Sequence, residues 1–305
     1  MKKIYFAPNK KYSSDQFNED FKLQSPNNSG SWKNICSTTN IEEAEFLIIQ
    51  DYTDDEIIKR FEKKKIIYFS REALTKEYFN YYYKKGFNNF SFWDESGYLF
   101  SKWVYAKPKL NLYNILKNII LKRELYSGLG KSYDELSKIN KYEKNKFLCS
   151  ILSYKNFNEG HRKRLTFTKN LLKKLNFDLY GSVNFKNSDI GNYKNDIYKL
   201  LIEYKYRLGF DNQYNIEKFF GTQFVDSILT LTVPIFSCGT DLSKFFPKKS
   251  FIQFDVNMSE IEMNKFINIL KEDDYSERLD DLKEAKELIL KKYNFWPTVE
   301  KIINN

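Results

Sequence analysis

Several charged side chains of this sequence follow directly on short apolar runs. Arg164 closes the basic cluster HRKR, Asp211 and Asn212 follow the apolar run Tyr206–Phe210, and Glu72 comes shortly after another such run. Ligands of parallel α/β sheets gather beyond the carboxyl ends of the strands. A guanidinium group binds phosphate oxygens in pairs, and a partly desolvated carboxylate can take up a proton. These residue types at these positions indicate a site that binds a phosphate-bearing ligand and moves a proton.

The residues that a metal site would need are scarce. The sequence has one histidine, His161, and no Asp-x-Asp motif, and its three cysteines, Cys36, Cys149 and Cys238, lie far apart. A zinc site and a histidine-based catalytic triad are therefore nearly excluded, and the odd cysteine count argues against a disulfide framework. We expect phosphate binding by Arg, Lys and a helix N-terminus, with no metal and no cofactor.

Composition limits the class of protein further. The chain has 305 residues and a net charge of +10, but its lysines are scattered among Asp and Glu. We therefore expect no nucleic-acid partner, and a non-catalytic nucleic-acid-binding protein stays a distant alternative. No apolar run reaches the ~18 residues of a transmembrane helix, and the start MKKIYFAPNKK predicts a strand rather than a signal peptide. We expect a cytoplasmic protein, with peripheral association with the cytosolic membrane face left open.

The first half of the sequence alternates strands and helices. Apolar runs predict strands at Ile4–Ala7, Phe46–Gln50 and Ile66–Phe69, and a polar run predicts a helix at Asp54–Lys63. Continuous apolar strands separated by helices are typical of a parallel sheet, which is covered on both faces. We expect an N-terminal domain over residues 1–145, whose last part, from about residue 107, is a basic connector.

The second half has the same alternation. Residues 146–280 are expected to form a second α/β domain, and 281–305 to form C-terminal helices, whose packing back on the N-terminal domain is left open. The predicted strands are Phe147–Leu152, Phe177–Tyr180, Tyr206–Phe210, Thr232–Ser237 and the apolar run Phe251–Phe254. The predicted helices are Leu165–Leu175, one through Val225 and Leu229, Glu277–Lys292 and a short one from Pro297.

Two segments of the second half resemble a known family. In residues 147–181 a strand and a Ser/Asn-rich loop lead to Arg164, which has an aromatic three and a leucine seven positions later. In residues 204–255 a strand ending in Asp-Asn is followed by a helix and by the sequence TVPI. This order resembles the donor-binding segment of the α1,3-fucosyltransferases, glycosyltransferase family 10. The resemblance implies an α/β fold of the GT-B type, with two Rossmann-like domains whose parallel sheets face a cleft. Residues 1–145 would be the acceptor-side domain and residues 146–280 the nucleotide-sugar donor-binding domain.

The resemblance implies roles for individual donor-binding residues. Arg164 would bind the diphosphate, and its neighbour Arg162 could share that task. Asp211 and Asn212 stand where the family has Glu-Asn near the nucleotide, and Tyr180 ends a strand that resembles the family's strand ending in Tyr-Gly. From the residues alone, the basic cluster could also be a solvated turn, and an Asp-Asn pair could also be a turn or a helix cap.

The family's Tyr-x-Thr-Glu-Lys motif can be placed on this sequence in two ways. By residue type it matches YNIEK, which makes Glu217 the sugar contact and Lys218 the phosphate contact. Counting back from Pro234 keeps the helix length and puts Thr222 and Gln223 in those places. We prefer the second register, in which one charge-assisted phosphate contact is lost. A nucleotide sugar other than GDP-fucose is therefore open as the donor.

Glu72 is the candidate catalytic base. The strand Ile66–Phe69 runs into Ser-Arg-Glu, which resembles the family's N-terminal strand ending in Thr/Gly-x-Glu, whose carboxylate is taken as the base. Glu95, in the sequence FWDE, is the second candidate. The alternative for Glu72 is a surface glutamate at the start of a helix.

The resemblance implies an inverting, metal-independent glycosyltransferase. It would move a sugar, in the first instance fucose from GDP-fucose, to a hydroxyl of a glycan or glycolipid acceptor. The near alternative keeps the fold and the mechanism and changes the nucleotide-sugar donor. A catalytically inactive relative is also open, because the preferred register lacks the Glu-Lys pair.

Overall fold

The protein is described by a computed structural model over residues 1–9, 12–50, 53–69, 129–182, 190–191, 197–211 and 221–304. Its contacts divide the chain into two compact units, one formed by Met1–Lys138 with Ile289–Asn305 and the other by Ile139–Leu288. Each unit is built on its own sheet. Within the described ranges, no helix is both long and apolar enough to cross a membrane.

The first unit is an α/β unit with a mainly parallel sheet. Its elements are β1 (Lys2–Phe6), α1 (Ser14–Lys22), β2 (Ser31–Trp32), β3 (Ile35–Thr38), β4 (Phe46–Gln50), α2 (Asp55–Ile58), β5 (Ile66–Phe69) and α3 (Tyr133–Ser137). The five strands lie in the order β2-β3-β1-β4-β5. Only the β2–β3 pair is antiparallel.

The second unit is an α/β unit with a wholly parallel sheet. Its elements are β6 (Lys146–Leu152), α4 (Glu159–Leu172), β7 (Asp178–Gly181), β8 (Ile190–Gly191), α5 (Ile197–Leu201), β9 (Tyr204–Phe210), α6 (Thr222–Leu229), β10 (Val233–Ser237), β11 (Ile252–Gln253), α7 (Glu260–Lys271) and α8 (Leu279–Lys291). The six strands lie in the order β11-β10-β9-β6-β7-β8, and all pairs are parallel. This is the doubly wound order of a Rossmann-like sheet, in which the direction of winding reverses between β6 and β9.

Helices cover both faces of the second sheet. Phe167 of α4 contacts Phe210 and Phe254 on one face, and Phe224 of α6 contacts Phe236 of β10 at 5.5 Å. Phe210 and Phe236 point to opposite faces, because Phe236 pairs with Gly209 in the sheet register and side chains alternate along a strand. Burial on both faces explains why β9 and β10 are almost continuously apolar.

The C-terminal helix α9 (Phe295–Asn304) completes the core of the first unit. Phe6 of β1 stacks on Phe21 of α1 with ring centroids 4.3 Å apart, and Phe295 lies 4.2 Å from Phe21. The Trp296 indole Nε1 donates a hydrogen bond to the Phe21 carbonyl oxygen at 2.8 Å. Four aromatic side chains from opposite ends of the sequence thus form one cluster.

The strand predictions are confirmed, and two helix predictions are wrong in their bounds. The helix predicted at Leu165–Leu175 begins at Glu159 and ends at Leu172, so Arg164 lies within it. The strands Phe46–Gln50 and Ile66–Phe69 have the predicted bounds, and the other predicted strands differ by a few residues at their ends. The helix predicted at Asp54–Lys63 ends at Ile58. Extending it would place like charges four residues apart, Lys59 with Lys63 and Arg60 with Lys64, which destabilises a helix.

Candidate functional site

The candidate site lies at the carboxyl edge of the second sheet, where β6 and β9 are neighbours. In doubly wound sheets the ligand binds at this reversal point. The loop after β6 leads into α4, a helix of 14 residues. Asn158 caps this helix, since its side-chain Oδ1 accepts a hydrogen bond from the His161 N–H at 2.8 Å. The helix dipole makes the N-terminus of α4 favourable for an anion.

Arg164 is directed into the loop after β6. Its side chain is only 4% exposed, and Nη2 donates to the Ser153 carbonyl oxygen at 3.2 Å, to Ser153 Oγ at 2.9 Å and to the Lys155 carbonyl oxygen at 3.4 Å. The guanidinium therefore fixes the shape of this loop and brings a buried positive charge to the reversal point. Diphosphate binding by Arg164 and by the exposed Arg162, whose Nη1 donates to the Asn156 carbonyl oxygen at 3.4 Å, stays a prediction.

The same loop presents two aromatic side chains to solvent. Tyr154 is 70% exposed and Phe157 is 78% exposed. The Phe157 ring lies edge-on to the buried His161 ring at 5.9 Å. His161 Nδ1 is buried and has no hydrogen-bond partner among the residues that the structure describes. Burial, together with the positive charges of Arg164 and Lys155, lowers the pKa of His161 below its usual value. The imidazole is therefore neutral at pH 7.

A left-handed glycine brings the loop after β7 to the same place. Gly181 has a φ of +107°, and a side chain there would collide with the Leu152 carbonyl group at the end of β6. Glycine adopts this backbone conformation at no steric cost. The turn places Ser182 next to the loop after β6, where its Oγ accepts a hydrogen bond from the Tyr154 N–H at 3.2 Å.

Asp211 organises the start of α6 after β9. Its carboxylate is buried, and Oδ1 accepts a hydrogen bond from the N–H of Gly221, the N-cap residue of α6, at 3.0 Å. A Cβ atom at position 221 would lie 2.6 Å from that oxygen, so the close approach requires glycine. The predicted contact of Asp211 with the nucleotide is not tested by this geometry.

Thr222 and Gln223 form the first turn of α6. The Gln223 carbonyl oxygen accepts hydrogen bonds from Arg207 Nη1 at 3.3 Å and from Ser227 Oγ at 2.7 Å. The Gln223 side chain packs against β9, because its Oε1 would lie 3.0 Å from a Cβ atom at Gly209. These two residues thus lie at the carboxyl edge of β9, and their roles toward the donor stay predictions.

The Tyr180 hydroxyl points away from that edge. It is 2.7 Å from the hydroxyl of Tyr204, which in turn donates a hydrogen bond to the Asp178 carboxylate. Tyr204 and Asp178 are the first residues of β9 and β7, so the Tyr180 hydroxyl points toward the amino edge. The remaining predicted site residues lie outside the described residues: Glu72, Glu95, Asn212, Glu217 and Lys218.

Two buried charged residues, one in β9 and one in α6, were not predicted from the sequence. Arg207 of β9 is 3% exposed and Asp226 of α6 is 2% exposed. Burial raises the pKa of Asp226 to about 7, against the opposing effect of Arg207, and Asp226 Oδ1 has no hydrogen-bond partner among the described residues. A charged residue within an otherwise apolar strand or helix is the signal that could have found both.

The site as described favours an anionic ligand. A buried guanidinium and the N-terminus of α4 supply positive potential, and the exposed rings of Tyr154 and Phe157 can contact an apolar ring. In the part of the chain that the structure describes, no group of three or more His, Cys, Asp or Glu side chains could hold a metal ion. Burial raises the pKa of Cys149 to about 12, so this thiol is not a nucleophile.

Comparison with known families gives one match. Residues 141–279, which contain β6 to β11 and the candidate site, match the model of the glycosyltransferase family 10 (fucosyltransferase) C-terminal domain. None of the curated proteins matches the sequence.

The solved structures that match this chain do so at low sequence identity. An α1,3-fucosyltransferase solved with GDP is 15% identical, with a TM-score of 0.45 over 99% of this chain and 88% of its own. The same kind of enzyme without GDP is 17% identical, with a TM-score of 0.43 over 99% and 89% of the two chains. TarM of S. aureus, in complex with fondaparinux, α-GlcNAc-glycerol and UDP, is 13% identical, with a TM-score of 0.46 over 85% of this chain and 55% of its own. The identification therefore rests on the family match.

Proposed function

The chain carries a divergent glycosyltransferase family 10 domain at residues 141–279, and from that premise we propose inverting, metal-independent transfer of fucose from GDP-fucose to a glycan hydroxyl. That the protein is a glycosyltransferase with two α/β units on parallel sheets follows from the family and the fold. The donor sugar, the stereochemistry and the metal independence are the proposed part.

One observation carries the proposal. The family-matched segment has the doubly wound strand order, and its reversal point coincides with the capped N-terminus of α4 and the loop that Arg164 holds. A nucleoside diphosphate needs positive potential at its leaving oxygens, because negative charge develops there as the sugar departs. The α4 dipole and the buried guanidinium supply that potential without a metal ion.

The proposed reaction is a single displacement. The acceptor oxygen forms a bond to the anomeric carbon on the face opposite to the diphosphate, the bond from that carbon to the phosphate oxygen breaks, and GDP leaves. The acceptor proton passes to a carboxylate, for which Glu72 is our candidate and Glu95 the fallback. Glu72→Gln is expected to lower turnover by about 10²–10⁴-fold and to leave donor affinity intact. Wild-type turnover by this variant would move the search to Glu95.

The neutral state of His161 fits this scheme. Its pKa is lowered by burial and by neighbouring cations, so at pH 7 it adds no charge next to Arg164. Protonation would require a further buried charge there. His161 is therefore assigned to the support of the loop and of the α4 N-terminus, and not to proton transfer.

The proposal is tested with a panel of nucleotide sugars. GDP-fucose, GDP-mannose and UDP-N-acetylglucosamine are titrated by calorimetry, and transfer is followed with and without EDTA. We expect GDP-specific binding and turnover that survives chelation. A loss of more than about tenfold on chelation that Mn²⁺ or Mg²⁺ restores would contradict metal independence, because losing a Lewis acid costs several kcal/mol.

The choice of donor has one specific alternative. If Thr222 and Gln223 occupy the places of the family's Glu-Lys pair, a charge-assisted phosphate contact is missing, and a different nucleotide sugar becomes the substrate. Binding of UDP sugars alone in the same titration would establish that alternative. Binding of no nucleotide at all would favour a catalytically inactive relative.

A further inference from the structure

A groove lies along the outer side of α4, away from Arg164. Its volume is about 440 Å³, which is within the usual size range of small-molecule pockets, about 300–1,000 Å³. One wall is the α4 surface with Arg162, Lys163 and Thr166, and the other is formed by Asn257 and Met258 after β11 and by Met263 of α7. All of these positions lie within the described residues of the second unit.

The two walls of the groove are held in place by contacts beneath and beside it. Phe167 stacks on Phe254 with centroids 4.7 Å apart and contacts Phe266 of α7 at 6.4 Å, which fixes α4 against α7. The loop after β11 is shaped by Asp255, whose Oδ1 accepts from the Asn257 N–H at 2.8 Å and from Asn257 Nδ2 at 3.0 Å. Ser259 then caps α7 with a capping box. The groove is therefore preformed, which lowers the entropic cost of binding.

The lining of the groove combines three kinds of surface. Met258 and Met263 are apolar and adaptable, Thr166 and Asn257 offer hydrogen bonds, and Arg162 and Lys163 bring positive charge. Glu159 pairs with Lys163 at 2.8 Å, so Glu159, Arg162 and Lys163 together carry a net charge of one positive unit. A saccharide has apolar C–H faces and hydroxyl groups, and a carboxylate or phosphate on it would match the positive charge.

We propose that this groove binds an anionic saccharide, a sugar unit bearing carboxylate or phosphate that belongs to the acceptor glycan beyond its reacting hydroxyl. This inference rests on the proposed function. Holding the glycan at a second point makes binding at the reaction site intramolecular and raises the effective acceptor concentration there. The groove lies apart from the loop that Arg164 holds, because Arg164 points inward to that loop, whereas Lys163 and Thr166 face the groove. Arg162 lines the groove and also donates to the Asn156 carbonyl oxygen of the loop.

The test uses trigalacturonate and mannose 6-phosphate as anionic probes and maltotriose as the neutral control. Each is titrated into the full chain by calorimetry in saturating GDP, which keeps the probes out of the donor site. We expect at least one anionic probe to bind and maltotriose to bind at least tenfold more weakly. Binding of the carboxylate probe alone or of the phosphate probe alone supports the proposal and identifies the anion.

Two tryptophan variants of α4 decide whether the groove is the place of binding. Thr166→Trp fills the groove and is expected to lower the affinity for the anionic probe by at least tenfold. Lys169→Trp places the same ring on an exposed position of α4 outside the groove and removes a positive charge. Its probe affinity should stay within about twofold of wild type, which distinguishes the groove from general charge attraction. Equal GDP affinity and melting temperature in both variants show that they are folded.

The proposal is overturned if neither anionic probe binds the wild type, or if Thr166→Trp binds the probe as well as Lys169→Trp does. These outcomes leave the donor assignment intact, because GDP binding is measured in the same samples. Failure of GDP to bind would instead contradict the proposed function, and the probe titrations without GDP would still report on the groove.

Discussion

The two edges of the second sheet use polar residues in different ways. At the amino edge the charged and hydroxyl groups pair with each other: Lys146 with Glu203 at 2.6 Å, Lys205 with Asp273 at 2.5 Å and Tyr206 with Asp274 at 3.1 Å. At the carboxyl edge, between β6 and β9, two large aromatic rings are exposed, and the buried Nδ1 of His161 has no hydrogen-bond partner in the described part of the chain.

This difference separates residues that hold the fold from residues that are kept for a ligand. Pairing at the amino edge satisfies groups that burial would otherwise destabilise. At the carboxyl edge the rings of Tyr154 and Phe157 stay in solvent, where they can contact a ligand ring. We therefore expect substitutions at the carboxyl edge to change ligand binding, and substitutions at the amino edge to change stability alone.

The largest effect is expected for Arg164→Gln at the carboxyl edge. The change removes a buried guanidinium that donates to Ser153 and Lys155, so donor nucleotide affinity should fall by about 2–5 kcal/mol. Arg164→Lys keeps the charge and loses the planar fork, and it should recover only part of the affinity. GDP titration measures both, with urea unfolding as the check on folding. Unchanged GDP affinity in both variants would remove Arg164 from the donor site.

The second prediction concerns the pH dependence of stability that the buried Asp226 of α6 causes. The Asp226 carboxyl has a pKa of about 7 in the folded chain and 3.8 when unperturbed, so the folded state holds its proton more tightly. Its contribution to stability is complete below about pH 4, is lost as the pH rises to about 7, and is constant above that. Asp226→Asn should remove this loss and raise stability at pH 8 by about 1–3 kcal/mol.

The measurement for Asp226 is urea unfolding between pH 4 and pH 8. The matched control is Asp241→Asn at an exposed position, where hydrogen bonds from Ser243 lower the pKa of the carboxyl, so no stability is lost as the pH rises. Asp20 of the first unit also has a pKa raised to about 7 by burial, so some of the wild-type pH dependence should remain in Asp226→Asn. A variant with the full wild-type dependence would contradict the assignment.

The smallest effect is expected for Tyr204→Phe at the amino edge. The hydroxyl that joins Tyr180 to Asp178 is lost, and the free energy of unfolding should fall by about 1 kcal/mol. Donor affinity and turnover should not change. Lys205→Ala, which removes an ion pair that is about one third exposed at the same edge, should cost still less, about 0.2–1 kcal/mol. A loss of GDP affinity in Tyr204→Phe would show that Tyr180 contacts the donor after all, and that the two edges are not separate.

The strands show how much of the fold can be predicted from the sequence. Apolar runs predicted β4 and β5 to the residue and β6, β9 and β10 within two residues at each end, because strands buried on both faces are mostly apolar, with Arg207 of β9 as a buried exception. The length of α2 was not predicted, because charge repulsion among the five basic residues from Lys59 to Lys65 outweighs their helix propensity.

The candidate site was predictable only in part. Arg164, Asp211 and Gln223 were proposed mainly from the family resemblance, and the structure places all three near the carboxyl edge between β6 and β9, while their roles toward the donor stay predictions. The partners of these residues could not be predicted. Ser153 and Arg164 are eleven residues apart in the chain, and Asp211 and Gly221 are ten residues apart, so local sequence patterns do not link them.

The sequence by itself determined the alternation of strands and helices, the scarcity of metal ligands and the likeness to a sugar-transferring family, since these depend on residue type and local spacing. The tertiary structure alone decided which guanidinium is buried, that Asp226 has a raised pKa and that α4 and α7 enclose a groove. Burial and desolvation arise from residues that are distant in the chain and close in space, so no local pattern encodes them.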